Sequence, residues 1–143
     1  VVVQVPSDGL ISYALIDRIF FGHTRPRTFR TLSTGIDVTT VERLDDQTIL
    51  VTPEKGFYAT EGEQMLRDPR IPFVVGETVT LSDMTVTISE INDTGRAMAA
   101  TFRFTSPLEH PEWMFTIWRG GRLEPWTPPP VGETVTLPSP WGP

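Results

Sequence analysis

Short runs of alternating apolar and polar residues, separated by turn residues, dominate the sequence between positions 73 and 137. In Met84–Ser89 every second residue is apolar, which is typical of a strand with one buried face. Asn92–Gly95 follows and combines residues that tolerate the left-handed backbone of a hairpin turn. The pattern therefore predicts a β-rich module over residues 73–137.

Two identical phrases of seven residues stand near the ends of this module, Val75–Leu81 and Val131–Leu137. Both read Val-Gly-Glu-Thr-Val-Thr-Leu, in which the glycine can form a turn and the residues after it can begin a strand. The sequences that flank the two phrases do not match each other. We therefore interpret the phrase as a favourable local way to begin a strand, and we predict one domain rather than a duplicated pair.

The pattern before the module is less regular but also predicts short strands. Residues 28–56 contain two alternating runs, Ile36–Leu44 and Thr48–Thr52, with an acidic turn between them. Residues 57–70 are polar and interrupted by proline, which predicts a loop with a single helical turn. After the module, residues 138–143 form a Pro-rich tail.

These segments together predict a mainly β fold of about eight to ten short antiparallel strands, arranged as a sandwich or a partly open barrel. Fourteen prolines and eleven glycines fit short strands joined by turns better than long helices. A chain of 143 residues favours a single domain over residues 1–143, which can bury a core without a metal or a disulfide. Residues 1–5 can add a further strand.

One helix is predicted, over residues 7–22. Ser7 can cap its first turn, and Gly22 can end it. On a helical wheel apolar side chains point in nearly every direction, so nearly the whole circumference has to be covered. The β module can wrap the helix as part of its core, or an outside partner or lipid can cover what the module leaves exposed. The sequence leaves both alternatives open.

A cluster of positive residues follows the predicted helix directly. It holds three arginines and a histidine, and no acidic residue occurs between Asp17 and Asp37. Beside an apolar helix, such a cluster can contact anionic lipid head groups or an acidic partner. A solvated linker and edge strand is the other interpretation, and it is the commoner role of a short charge cluster. The residues predicted to contact a partner or a membrane are Tyr13, Ile16, Phe20, Arg25, Arg27 and Arg30.

The composition narrows the classes of partner. The net charge of −6 disfavours nucleic acid, because an acidic chain repels phosphates. The chain has no cysteine, which excludes disulfides and thiolate chemistry. No apolar run reaches the roughly 20 residues that span a bilayer.

Since Val1 is not an initiator methionine, we expect a processed chain or part of a longer one. A cell-envelope or membrane-associated location is favoured over the cytoplasm.

Catalytic and metal-binding motifs are sparse. No nucleophile elbow, zinc-protease motif, phosphate loop or EF-hand loop occurs in the sequence. Glu109, His110 and Glu112 lie close together, but neighbouring residues on one loop rarely converge on a single ion. Paired carboxylates can serve a glycosidase, yet eighteen acidic residues make chance pairs unavoidable. We therefore predict no metal and no cofactor, assign no catalytic residue, and favour a non-enzymatic role.

The four tryptophans are the most distinctive set of side chains. Exposed on a β surface, Trp113, Trp118 and Trp126 would stack against a sugar or a proline-rich peptide. Packing is the commoner role, because tryptophan is usually largely buried. These three residues are the candidate ligand-binding positions, and Trp141 lies in the tail.

The function predicted from these patterns is a non-catalytic interaction or accessory domain of a larger bacterial protein, with membrane attachment as one option. Its partner would be another protein, the remainder of the parent chain or a membrane surface. One alternative is a carbohydrate- or peptide-binding module that uses the tryptophans. Another is an enzyme with an unrecognised carboxylate site. The apolar helix and the adjacent positive cluster favour the interaction domain.

Overall fold

The computed structural model describes residues 1–7, 9, 13, 16, 19–22, 26–64, 68 and 70–140. The strands formed by these residues are β1 (Val2–Val5), β2 (Thr31–Thr34), β3 (Thr39–Arg43), β4 (Thr48–Pro53), β5 (Thr78–Thr80), β6 (Met84–Ile91), β7 (Ala97–Phe104), β8 (Thr116–Arg119), β9 (Arg122–Pro125) and β10 (Thr134–Leu137). A short helix, α1, spans Glu61–Gln64. The strands form two sheets that pack against each other, which confirms the predicted mainly β fold.

The larger sheet has six strands in the order β10-β3-β4-β7-β6-β5, and every neighbouring pair is antiparallel. The predicted turn at Asn92–Gly95 joins β6 to β7, and its Gly95 N–H donates to the Asn92 carbonyl at 2.9 Å. The side-chain oxygen of Asn92 accepts hydrogen bonds from the backbone N–H groups of Thr94 and Arg96. This asparagine therefore closes the turn at both ends, as its residue type predicts.

The smaller sheet has the order β2-β1-β8-β9 and is not wholly antiparallel. β1 pairs in parallel with both β2 and β8, because long connections along the chain separate it from each neighbour. This strand is buried over its whole length, including the polar Gln4. The Gln4 amide donates to the Asp37 carbonyl at 2.7 Å and to Thr39 Oγ1 at 3.0 Å. These bonds satisfy the buried donor and tie the smaller sheet to β3 of the larger one.

The core lies between the two sheets. Alternate residues of the larger sheet point inward, and Val41, Val51 and Phe102 are buried there. The ring of Phe104, at the end of β7, meets that of Phe115, just before β8, edge-on at 5.5 Å. Edge-to-face contacts of this kind add to the stabilisation that burial gives. The aromatic contact therefore joins one sheet to the other.

The two identical phrases form the two outer strands of the six-stranded sheet, β5 and β10. In both phrases the glycine has a left-handed backbone, with φ of 86° at Gly76 and 82° at Gly132. Each glycine N–H donates to the adjacent strand at 2.8 Å, to the carbonyl of Ile88 in one phrase and of Arg43 in the other. The following glutamate N–H closes a turn onto the carbonyl three residues earlier in both. The phrase is thus one local structure used twice, and in each place it begins a strand as predicted.

The pairing registers relate the two halves of this sheet by an approximate two-fold axis between β4 and β7. In one half the successive pairs run Val135–Val41–Val51, and in the other Val79–Val86–Phe102. At the axis, Val51 lies opposite Ala100 and Phe102 lies opposite Ile49. Because β10 follows β3 and β4 in the chain whereas β5 precedes β6 and β7, the two halves are circularly permuted. A comparison of the flanks along the sequence therefore does not reveal the equivalence.

Half of the residues of the predicted helix over 7–22 lie outside the described part of the chain. The described positions 9, 13, 16, 19 and 20 have helical backbone. Gly22 follows with a φ of 69°, and its N–H donates to the Ile19 carbonyl at 3.3 Å. A left-handed glycine in this place is typical of a residue that ends a helix.

Candidate functional site

Five apolar side chains before Gly22 are exposed, and we call them the apolar segment. They are Tyr13, Ile16, Ile19, Phe20 and Phe21. Tyr13 is 73% exposed, and Phe20 is 84% exposed. Single apolar residues at a protein surface are ordinary, but five within nine positions, three of them aromatic, form an unusual concentration. The described part of the chain therefore leaves these five side chains uncovered.

The arginines after the apolar segment differ in what they contact. Arg27 is exposed. Arg30 instead forms an ion pair with Asp83 at 2.9 Å, and its guanidinium lies 3.5 Å from Ser82 Oγ. Arg25 lies outside the described residues. The predicted positive cluster is therefore partly neutralised, because the charge of one of its arginines is paired with that of an aspartate. This ion pair also joins the start of β2 to the turn between β5 and β6.

Asp83 is the less exposed partner in this ion pair, with a side chain 13% exposed. Burial by itself raises the pKa of this carboxyl, but the hydrogen bond and the charge of Arg30 help to outweigh it, so the pKa is lowered from its ordinary value. The carboxylate is thus held in its charged form by Arg30, a residue that the sequence predicts to contact a partner.

Trp113 and Trp126 are half-buried and pack against the core. The ring of Trp113 lies 5.2 Å edge-on from that of Phe104, and its indole N–H donates to the Ser106 carbonyl at 3.4 Å. The ring of Trp126 lies 6.3 Å edge-on from that of Phe115. Both contacts give these tryptophans a packing role, and ligand binding by either stays a prediction.

Trp118 lies on the other face of the smaller sheet, where it packs with Val2 and Val5. It also lines a cleft of about 280 Å³, which continues along Leu137 and Pro138 at the end of β10. Trp118 is therefore separated from Trp113 and Trp126 by the sheet itself. The structure does not bring the three tryptophans together as one stacking platform.

The acidic residues around His110 point in different directions. Glu109 forms a bidentate ion pair with the buried Arg43, with 3.0 Å between Arg43 Nη2 and Glu109 Oε2. The hydrogen bond from Arg43 lowers the pKa of Glu109. Glu112 accepts from Ser106 Oγ and lies 3.3 Å from His110 Nδ1. Within the described residues, no three His, Asp or Glu side chains converge closely enough to hold a metal ion.

A second cleft, of about 210 Å³, lies beside the irregular segment 57–70. Tyr58 and Phe73 stack along it with ring centroids 5.7 Å apart, and Arg96 lines it as well. Tyr58 has a φ of 55°, an unusual conformation for a residue other than glycine. Sequence reasoning identified this segment as irregular but did not single out Tyr58, because the stacking depends on a residue 15 positions away.

The single helical turn predicted in this segment is present as α1. Its first turn is capped by Thr60, whose Oγ1 accepts from the Glu63 N–H at 3.3 Å. The Glu63 carboxylate accepts in return from the Thr60 N–H at 3.0 Å. This reciprocal capping box explains why so short a helix forms at this position.

Comparison with protein-family models, with curated proteins and with solved structures finds no match to this chain. In the part of the chain that the structure describes, no helix is both long enough and apolar enough to span a membrane.

Proposed function

We propose that this chain is a non-catalytic interaction domain, and that the apolar segment is the surface through which it binds a partner. The observation that carries the proposal is the exposure of Tyr13, Phe20 and Phe21, each more than two thirds accessible to solvent. A large apolar side chain that becomes fully buried in an interface contributes about 1.5–3 kcal/mol to the free energy of association. A few such residues are therefore enough to offset part of the cost of association.

The charge of the chain favours a protein surface over an anionic membrane. The net charge of −6 repels anionic lipid at long range, and Arg30 is already paired with Asp83. Arg27 follows the apolar segment in the sequence and is exposed, so it can meet an acidic group on the partner. We therefore expect the partner to be a protein with an apolar surface and an acidic rim. A lipid surface is the alternative, and sedimentation with vesicles distinguishes the two.

The exposure of the apolar segment is tested with one introduced thiol. Because the chain has no cysteine, Phe20→Cys gives a single reactive site. We expect this thiol to react with a maleimide at the same rate, within about two-fold, as the control Met114→Cys, which replaces another exposed apolar residue. A Phe20→Cys thiol that reacts at least ten-fold more slowly in the native protein than after unfolding would contradict the proposal, because the chain would then cover the segment itself.

The nature of the partner surface is tested with vesicles. The wild-type chain and the double variant Phe20→Ser/Phe21→Ser are sedimented with vesicles of phosphatidylcholine, with and without phosphatidylserine. If the wild-type chain binds the vesicles and the double variant does not, the surface that the apolar segment contacts is a lipid surface. Failure of both proteins to bind, with the Phe20→Cys thiol still reactive, would favour the protein surface that the charge predicts.

A further inference from the structure

The outer edge of β5 offers backbone groups for further strand pairing. The Leu81 N–H donates to the Met84 carbonyl at 2.8 Å, and the Ile88 N–H donates to the Glu77 carbonyl at 2.9 Å. The backbone groups of residues 77 and 81 therefore point toward the neighbouring strand β6. Backbone groups alternate in direction along an antiparallel strand, and those of Thr78 and Thr80 therefore point away from the sheet. All three residues of β5 are exposed. An exposed edge of this kind is a ready template for another strand.

The opposite edge of the same sheet carries the same sequence but is better protected. Pro138 follows the phrase that contains β10, and Pro128–Pro130 precede its turn, whereas Ser82 and Asp83 follow the phrase that contains β5. Proline beside an edge strand blocks pairing because it has no N–H to donate. Val135 of β10 is half-buried against the core, while its equivalent in β5, Val79, is 54% exposed.

We propose that β5 pairs antiparallel with β5 of a second copy of this chain, centred on Val79. Thr78 then lies opposite Thr80 of the second copy, and each such pair exchanges both of its backbone hydrogen bonds. The six-stranded sheet continues across the two-fold axis into the second molecule.

The sequence of β5 suits this pairing because Thr-Val-Thr reads the same in both directions. In this register Glu77 lies opposite Leu81 of the second copy, so no carboxylate faces another across the axis. The exposed Val74 and Val75 lie at the start of the same edge and extend its apolar surface. The surface is distinct from the apolar segment, so the pairing does not depend on the proposed function. Since β5 is short, we expect weak association, with a Kd on the order of 10 µM.

Two matched proline variants test which edge pairs. Thr80→Pro and Thr136→Pro occupy equivalent positions in the repeated phrase, and each removes an N–H that points away from the sheet. In sedimentation equilibrium of the full chain, we expect wild type and Thr136→Pro to dimerise alike and Thr80→Pro to dimerise at least ten-fold more weakly. Wild-type protein that stays monomeric at about 500 µM, or a Thr136→Pro variant weakened as much as Thr80→Pro, overturns the proposal.

A cysteine at position 79 tests the register and is insensitive to a modest loss of stability. Across the axis Val79 meets its own copy in a non-hydrogen-bonded pair, whose Cα atoms are about 4.5 Å apart and can be bridged by a disulfide. Under mild oxidation we expect Val79→Cys to form a covalent dimer at least ten-fold faster than Val131→Cys, a control at an exposed valine of the other phrase. Equal rates for the two variants overturn the proposed pairing.

Discussion

Arg30 forms an ion pair within the fold, although the sequence predicts that it contacts a partner or a membrane. Its guanidinium contacts a carboxylate 53 positions away, at the turn between two strands of the larger sheet. Asp83 is largely buried, so the pair lies where water screens it less than at an open surface. Arg30 therefore holds the segment before β2 against the larger sheet.

We predict that Asp83→Asn lowers the free energy of unfolding at pH 7 by about 1–3 kcal/mol, because it removes a hydrogen-bonded charge from a partly buried site. The pKa of Asp83 is lower in the folded protein than its ordinary value, so this stabilisation is complete above the unfolded pKa of about 3.9. It is lost as the pH falls through the lower, folded pKa. The difference between wild type and variant in urea unfolding should therefore be largest above about pH 5 and shrink below about pH 4.

Asp93→Asn is the control for this experiment, since Asp93 is exposed on the β6–β7 turn. It should change stability by less than about 0.5 kcal/mol. A pH-independent difference between wild type and Asp83→Asn would show that the ionised form of Asp83 is not what stabilises the fold.

At the scale of single elements, the repeated phrase is the clearest case of sequence specifying local structure. The turn before β5 and the turn before β10 share the same left-handed glycine and the same hydrogen bonds to the neighbouring strand. Their surroundings differ, because Val135 packs against the core while the equivalent Val79 is exposed. Local structure is thus set by the seven residues, and burial is set by what packs beside them.

We predict that Gly76→Ala and Gly132→Ala each lower the free energy of unfolding by about 1–2 kcal/mol, since a Cβ disfavours a left-handed backbone. The two costs should agree within about 0.5 kcal/mol, because a Cβ at either glycine has no other atom within 4 Å. Chemical denaturation measures both. Gly62→Ala in α1 is the matched control, and it should be neutral or stabilising because Gly62 lies in a helix with open space around it.

At the scale of the whole molecule, the two sheets are held together by side chains that are distant in sequence. Phe104 is buried and contacts both Trp113 and Phe115, and Trp126 lies against Phe115 in turn. This aromatic cluster connects the end of β7 to the segments on both sides of β8 and β9. Its loss would remove packing between the layers and leave a cavity.

We predict that Phe104→Ala lowers the free energy of unfolding by about 3–5 kcal/mol. That is a large fraction of the 5–15 kcal/mol typical of a domain, so the variant should be partly unfolded at 37 °C. Phe104→Leu keeps most of the volume and should cost less than half as much. Thermal unfolding followed by near-UV circular dichroism measures both, and equal effects of the two variants would contradict a packing role for the ring.

The sequence alone predicted much of the local structure. Alternation predicted β6, glycine and asparagine predicted the Asn92–Gly95 turn, and the repeated phrase predicted two strand starts. These predictions succeed because turn geometry and the two-residue period of a strand depend on residues within a few positions. For the apolar residues around Phe20, the sequence left open whether the chain itself or an outside partner covers them.

Only the tertiary structure decided how these pieces combine. Strand order, the parallel pairing of β1, the placement of the two phrases at opposite edges and the Arg30–Asp83 pair all depend on contacts between residues far apart in the chain. Many residues can satisfy such contacts, so no short pattern encodes them. The sequence therefore determined which segments become strands and turns. Long-range packing decided that Val79 faces solvent while the equivalent Val135 contacts the core, because the buried side chains between the two sheets pack against Val135 and not against Val79.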